Sequence, residues 1–217
     1  VPEDGALHEE YGQGWKITEA MPVNSVGIVT ARDQLTIHIT ADAAWSAANE
    51  FASLNEQDAR SRFDLREDST DWSVSLAQKD LRESGPRREQ VAPILYRPFD
   101  VRHTYFTGHP SGFHARPRGE VMCHLVQPNL ALLAPKQTKD EWSAFSATSI
   151  AAHKSSTVYD ITSVFPLWLY PSAASDLLDT DAREKRPNFA PAFLDDLTAK
   201  LGHTPWPEAI LAYIYAV

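Results

Sequence analysis

The sequence predicts an α+β fold, with a central, mostly antiparallel sheet and helices at both ends. Apolar residues recur at helical spacing before about residue 86 and again after about residue 187. The stretch between them holds short apolar or alternating runs broken by turn residues. Helices thus cluster at both ends around a central block of short strands. With 217 residues, 43% of them hydrophobic, the chain has enough apolar surface for a core, which excludes global disorder. One domain over 1–217 is expected, with a helix-and-strand part at about 1–86, a strand-rich centre at about 87–170 and a helical tail at about 187–217.

Taken in order, Leu35-Thr-Ile-His-Ile-Thr40 alternates and reads as a half-buried strand with Leu35, Ile37 and Ile39 inward. Asp42 is placed to cap a helix on which Trp45, Ala48, Phe51 and Ala52 share a face. Ser53-Leu-Asn-Glu56 has the form of a capping box and opens a second short helix toward Phe63. A third helix is expected from about Ser73 to Glu83, stopped by Gly85-Pro86. Strand-like runs follow at Val91–Tyr96, Arg102–Phe106, Leu130–Ala134 and Trp142–Ala147. Between them Pro117 can start a helix carrying Val121, Met122, Leu125 and Val126. Phe165–Tyr170 is an apolar run closed by Pro171, and polar Ser172–Asn188 is a connector. Pro191–Leu201, with Gly202 behind it, reads as a helix, and a last helix begins near Pro207. Trp15, Trp72, Phe99, Tyr105, Phe165, Trp168 and Tyr170 are assigned to the core.

Composition excludes several classes. A single cysteine, Cys123, leaves no intramolecular disulfide and no multi-cysteine zinc site. No run approaches the roughly 18 apolar residues of a membrane span. The acidic start, Val1-Pro-Glu-Asp-Gly5, is not a secretory signal, so a cytoplasmic location is expected. The chain starts without Met and stops inside an apolar helical pattern, so a fragment of a longer polypeptide is expected. The net charge of −9 argues against indiscriminate nucleic-acid coating. Yet 82–118 holds seven Arg (Arg82, Arg87, Arg88, Arg97, Arg102, Arg116, Arg118) against three acids. Arg carries a planar fork suited to phosphates and guanine edges. A salt-bridged, solvated surface accounts for the same charges.

No catalytic constellation is visible. Gly12-Gln-Gly14 lacks the third glycine and the preceding strand of a phosphate loop. No Gly-x-Ser-x-Gly elbow occurs. His103, His109, His114 and His124 lack metal-ligand spacing, and Cys123 sits in an apolar helical pattern as an inert thiol. The Asn-Pro-Pro-aromatic motif of adenine methyltransferases is absent, and Asp195-Asp196 belongs to a helix face. Neither a catalytic residue nor a metal ligand is assigned.

Four ordered segments are more specific. The first is Tyr11-Gly-Gln-Gly-Trp15, then Pro22-Val-Asn-Ser25 and Gly27-Ile-Val-Thr-Ala-Arg-Asp33. The second is Phe63 with Asp71-Trp72. The third is Tyr96-Arg-Pro-Phe-Asp-Val-Arg102, His103-Thr-Tyr105, Arg116-Pro-Arg118, Glu120-Val-Met122 and His124. The fourth is Phe165-Pro-Leu-Trp-Leu-Tyr170, Pro187-Asn-Phe189 and Ile214-Tyr-Ala216. Together they resemble the C-terminal target-recognition (specificity) domain of type ISP restriction–modification enzymes, in order and over nearly the whole chain. One departure is Ala31, where the family pattern has Gly.

The resemblance implies recognition rather than catalysis. Such a domain holds double-stranded DNA so that a methyltransferase domain of the same parent chain can flip out its target adenine. The parent would use S-adenosylmethionine, ATP and Mg, and this fragment would hold none of them. Candidate contacts to bases or phosphates are Arg32, Asp33, Arg97, Arg102, Arg116, Arg118, Lys136, Gln137, Lys139, His153 and Lys154. Each has a plainer reading. Arg32 and Asp33 can form a local ion pair, and Arg97 or Arg102 can pair with Asp100 to hold a turn. Arg116 and Arg118 flank Pro117 at a predicted helix start, where the helix end also favours an anion. The Lys136–Lys139 and His153–Lys154 segments can be exposed turns. The alternative function is a docking domain of a multidomain enzyme that touches no DNA.

Overall fold

A computed structural model describes residues 4–135, 137, 143–157, 159–171 and 184–216. Helices α1 (Gly5–Gly12) and α2 (Ile17–Ala20) lead into β1 (Ser25–Val26). The alternating run that follows is not a strand. It opens with a single turn, α3 (Asp33–Thr36), because the Leu35 and Thr36 amides both donate to Arg32 O at 2.9 Å. Leu35 and Ile37 still point inward, but Ile39 is 80% exposed, and only His38 makes a bridge, to His103.

Helix α4 (Ala41–Ser53) buries Ala44, Ala47, Ala48, Phe51 and Ala52, with Trp45 at the margin. Its cap is Thr40, whose hydroxyl accepts from the Ala43 amide at 3.2 Å, while the predicted cap Asp42 pairs with Arg88 instead. Helix α5 (Glu56–Arg62) is capped by Asn55 rather than Ser53, which is the last residue of α4. Helix α6 (Val74–Ser84) starts at its Ser73 cap and stops at Gly85, where φ is 60°. These helices bury Phe51, Trp72, Val74, Leu81, Tyr105 and Phe113 together.

Strands β2 (Val91–Arg97) and β3 (Asp100–Tyr105) form an antiparallel hairpin. The one-turn helix α7 (Gly119–Met122) continues as a tighter turn to Leu125, burying Val121, Met122 and Leu125 and leaving Val126 exposed. Then come β4 (Ala131–Pro135), β5 (Phe145–Ala147), β6 (Ile150–Ala151), β7 (Thr162–Pro166), β8 (Trp168–Leu169) and β9 (Arg186–Pro187). The described strands fall into separate sheets, ordered β1-β7-β4-β5, β3-β2-β6 and β8-β9. Pairing is antiparallel except where β2 meets β6. The start of the predicted Trp142–Ala147 strand and most of the 172–188 connector lie outside the described residues.

Helices α8 (Pro191–Leu201) and α9 (Pro207–Ala216) complete the chain, α8 closing at Gly202 with φ 75°. Phe193, Leu194, Leu197, Ile210 and Leu211 cover Leu132, Phe165 and Leu167. Buried Asn188 ties this layer together, accepting from the Val23 amide at 3.0 Å and donating to Pro166 O at 2.9 Å. No helix among the described residues is long and apolar enough to cross a membrane. Of the aromatic residues assigned to the core, Trp72, Tyr105 and Phe165 are buried, and Trp168 and Tyr170 partly so. Trp15 lies at the surface, donating to Asp196 at 2.8 Å. Phe99 is exposed at the tip of the β2–β3 hairpin, since the two-residue turn leaves nothing above it.

Candidate nucleic-acid interface

The β3-β2-β6 sheet is wider than its named strands. Ile28 bridges Ala152 in parallel, with the Ile28 amide donating to Ala151 O at 2.9 Å and the His153 amide to Ile28 O at 2.8 Å. On its other side Val29 bridges Arg116 antiparallel. Three parallel segments, Ile94–Leu95, Ile150–Ala152 and Ile28, therefore run side by side and discharge their loops at one end. Those loops carry Arg97, His153 with Lys154, and Arg32 with Asp33. Gly27 permits the junction, because a Cβ there would lie 2.3 Å from Ala152 O.

Arg32 and Asp33 do not pair with each other. Arg32 donates from Nη1 to Ala31 O at 3.0 Å and from Nη2 to Glu67 O at 2.8 Å, with its guanidinium 4.8 Å from the Trp72 ring centre. Its Nε is buried without a partner. Asp33 accepts from the Thr30 hydroxyl and, at 2.5 Å, from the Tyr96 hydroxyl. Ala31 stands in the left-handed region at φ 65°, where glycine would be free of strain.

Tyr96 organises the hairpin stem. The Arg97 guanidinium lies 3.9 Å and that of Arg102 4.7 Å from its ring centre. Burial and the bond to Asp33 push the Tyr96 hydroxyl up, so it stays a neutral donor. Arg102 grips Asp100, donating from Nε at 2.9 Å and Nη2 at 2.8 Å, and Asp100 raises its pKa further. Arg97 makes no ion pair among the described residues; it donates to Tyr96 O at 2.7 Å and to the Tyr96 hydroxyl at 3.2 Å.

Arg116 pairs with Asp71 at the surface. Arg118 occupies the left-handed region at φ 55° as the cap of α7, and its Nε is buried without a partner. Only one turn of helix follows it, so little helix dipole stands behind the residue. His153 lies close enough to feel both arginines. Burial pushes its pKa down first, and the charges of Lys154, Arg118 and Arg116 push it further the same way. Strand β4 ends at Pro135 opposite Thr162, whose amide donates to His153 O at 3.0 Å. Exposed Gln137 follows, while Lys136 and Lys139 lie outside the described residues. A cleft of about 890 Å³ opens beside Arg32, lined also by Gln34, Arg62 and Arg66. Among the described residues no three metal-ligating side chains converge.

Residues 19–217 match the family model of the Type ISP C-terminal specificity domain. The chain belongs to this family. Its fold is shared by two solved structures: the DrdV–DNA complex, at 20% identity and TM-score 0.61 over 91% of this chain, and the ATP-dependent Type ISP restriction-modification enzyme LlaBIII bound to DNA, at 13% and 0.54 over 85%. The chain spans 19% and 12% of those proteins' lengths, respectively. No curated protein matches it.

Sequence reasoning about this specificity domain missed Tyr96, Thr30 and Asp71 as partners of the nominated charges. Tyr96 stands directly before Arg97, and an aromatic ring beside an arginine was a usable signal. The Arg116–Asp71 pair spans 45 positions and left no local trace.

Proposed function

We propose that this specificity domain recognises double-stranded DNA in a sequence-specific manner and positions a target adenine for a methyltransferase domain of the same polypeptide, within a restriction–modification enzyme. S-adenosylmethionine, ATP and Mg then serve other parts of that polypeptide. The observation that carries the reading is the gathering of Arg32, Arg97, Arg116, His153 and Lys154 around one end of a composite sheet, with Arg118 within electrostatic reach of His153, on a chain that is acidic overall. A duplex backbone is held by such a group through released counterions, while a net negative body suppresses indiscriminate binding. The DNA in the two fold relatives supports the same role. Arg118 and Lys154 serve phosphates. Arg97 is the better candidate for a base edge, because stacking on Tyr96 fixes its fork and no carboxylate among the described residues neutralises it. Lys136, Gln137 and Lys139, which follow β4 in the sequence, add further contacts.

A domain exchange tests this. Replacing residues 19–217 in the full-length protein with the equivalent domain of another family member should change the DNA sequence that is methylated, read by mapping modified bases in plasmid DNA. An unchanged methylated sequence would overturn the reading. It would favour a docking role, for which the exposed Leu201, Trp206 and Tyr213 on the α8–α9 surface provide an apolar face.

A further inference from the structure

We propose that Phe99 is a wedge that enters the DNA duplex between stacked base pairs; this rests on the DNA-recognition reading above. Phe99 is 88% exposed at the extreme tip of the β2–β3 hairpin. The turn Arg97-Pro98-Phe99-Asp100 puts it where a two-residue turn of this kind takes Gly or Asn, and its φ is 61°. An aromatic residue held in the left-handed region and mostly in water is disfavoured both as backbone and as side chain. Folding does not account for it.

Among the described residues one aromatic ring supports Phe99. Phe145 meets it edge to face, with ring centres 5.3 Å apart and planes at 73°. Below it the stem is rigid: Pro98 fixes one turn dihedral, and Tyr96 is held by Arg97, Arg102 and Asp33. Val101, 56% exposed, adds a second apolar group beside the tip. The occupant must tolerate cations at the base of an apolar point. Arg97 has no ion-pair partner among the described residues, and the hairpin leaves the same sheet end as His153 and Lys154. Base pairs flanked by phosphates meet that requirement, whereas an apolar protein surface would leave the guanidinium of Arg97 desolvated and unpaired.

Inserted apolar side chains unstack a base step and kink the duplex by roughly 20–90°. Pyrimidine–purine steps unstack most readily, so the recognised sequence should carry a TA or CA/TG step where Phe99 enters. Phe99 would thus favour certain sequences without touching a base edge.

The test is unwinding of relaxed plasmid DNA by the full-length protein, without ATP or S-adenosylmethionine. Topoisomerase I is added, the linking-number change is measured, and bound protein is counted by filter binding on the same plasmid. Phe99→Gly is the main variant, because glycine suits the left-handed position and, among the described residues, gives up only the edge contact with half-buried Phe145. It should bind within about threefold of the wild type and unwind less than half as much per molecule bound. Phe99→Trp should unwind like the wild type. Equal unwinding by Phe99→Gly and wild type overturns the wedge while leaving DNA recognition standing. Loss of unwinding in Phe99→Trp together with a lowered melting temperature also overturns it, by giving the ring a structural role. A wild-type protein that does not bind the plasmid overturns the DNA-recognition reading itself.

Discussion

The Tyr96 hydroxyl donates to Asp33 Oδ2 at 2.5 Å, joining the hairpin stem to the loop after Ile28 across 63 positions of sequence. The bond locks two loops of the interface to each other. It also occupies the one carboxylate that Arg32 was expected to use. Tyr96→Phe keeps the ring on which Arg97 and Arg102 stack and removes this bond, together with the longer one the hydroxyl accepts from Arg97 at 3.2 Å. A charge-assisted hydrogen bond at a half-buried site contributes about 1–2 kcal/mol. Urea unfolding should therefore show a loss of that order. DNA affinity should fall a few-fold with no change in salt slope, because no cation is removed.

Two backbone positions next to this bond should respond in opposite directions. Gly27→Ala forces a methyl group against Ala152 O, so the parallel segments must separate, and a loss of roughly 1–3 kcal/mol is expected. Ala31→Gly relieves a left-handed alanine and should raise stability by about 1 kcal/mol, less the added freedom of the unfolded chain. Thermal melts of both variants against wild type decide the pair. A stabilised Gly27→Ala would mean that the close approach is not real.

Local chemistry made most of the fold legible. Ser73 and Gly85 bracket α6, Pro191 and Gly202 bracket α8, and the β2–β3 hairpin falls where its apolar runs suggested. What failed depended on distant partners. The Leu35–Thr40 alternation is overridden because Arg32 O collects two amides and turns the chain. Phe99 reads as core because large aromatic side chains are usually buried, but a two-residue turn carries it past the edge of its sheet. For the interface, the residue types were readable and their partners were not. Asp71 for Arg116, Trp72 for Arg32 and Thr30 for Asp33 are brought together only by the packing of separate elements.

His114 gives a pH dependence of stability. It is fully buried, with Nε2 on the Thr104 hydroxyl at 2.9 Å, and burial pushes its pKa down to about 4 against the partly opposing charges of Asp80 and Asp33. As pH falls below the usual 6.5, the unfolded chain takes up a proton that the folded protein refuses. Stability is therefore lost between about pH 6.5 and 4, by up to roughly 3 kcal/mol. Urea unfolding at pH 7 and pH 5 should show a clearly smaller drop for His114→Gln than for wild type.

Arg118 and Arg32 should separate binding from stability. Arg118 has no hydrogen-bond partner for its buried Nε and sits at φ 55°, so Arg118→Gly should hold or raise the melting temperature. If Arg118 meets a phosphate, the same change lowers the slope of log affinity against log salt by about one unit. Arg32→Ala removes two bonds to backbone carbonyls and the Trp72 stack, and should cost about 1–3 kcal/mol. An Arg32→Ala protein as stable as wild type would return Arg32 to the list of base readers.

His153 should link DNA binding to pH. In the free protein its burial, and then the charges of Lys154, Arg118 and Arg116, hold it neutral below the ordinary histidine range. A phosphate docked on those cations offsets their charge and adds its own negative charge beside the ring. Both changes raise the His153 pKa, so the complex takes up a proton that the free protein does not hold. By linkage, affinity must then rise as pH falls toward the raised His153 pKa of the complex, and the salt slope must steepen as an extra positive charge joins the contact. The comparison that matters is His153→Gln against wild type. The variant should match wild type within about twofold at pH 7.5 and lose most of the gain at pH 6. Fluorescence anisotropy of a labelled duplex, titrated with the full-length protein at both pH values and two salt concentrations, measures this. A gain at pH 6 that is the same in both proteins would remove His153 from the phosphate contact.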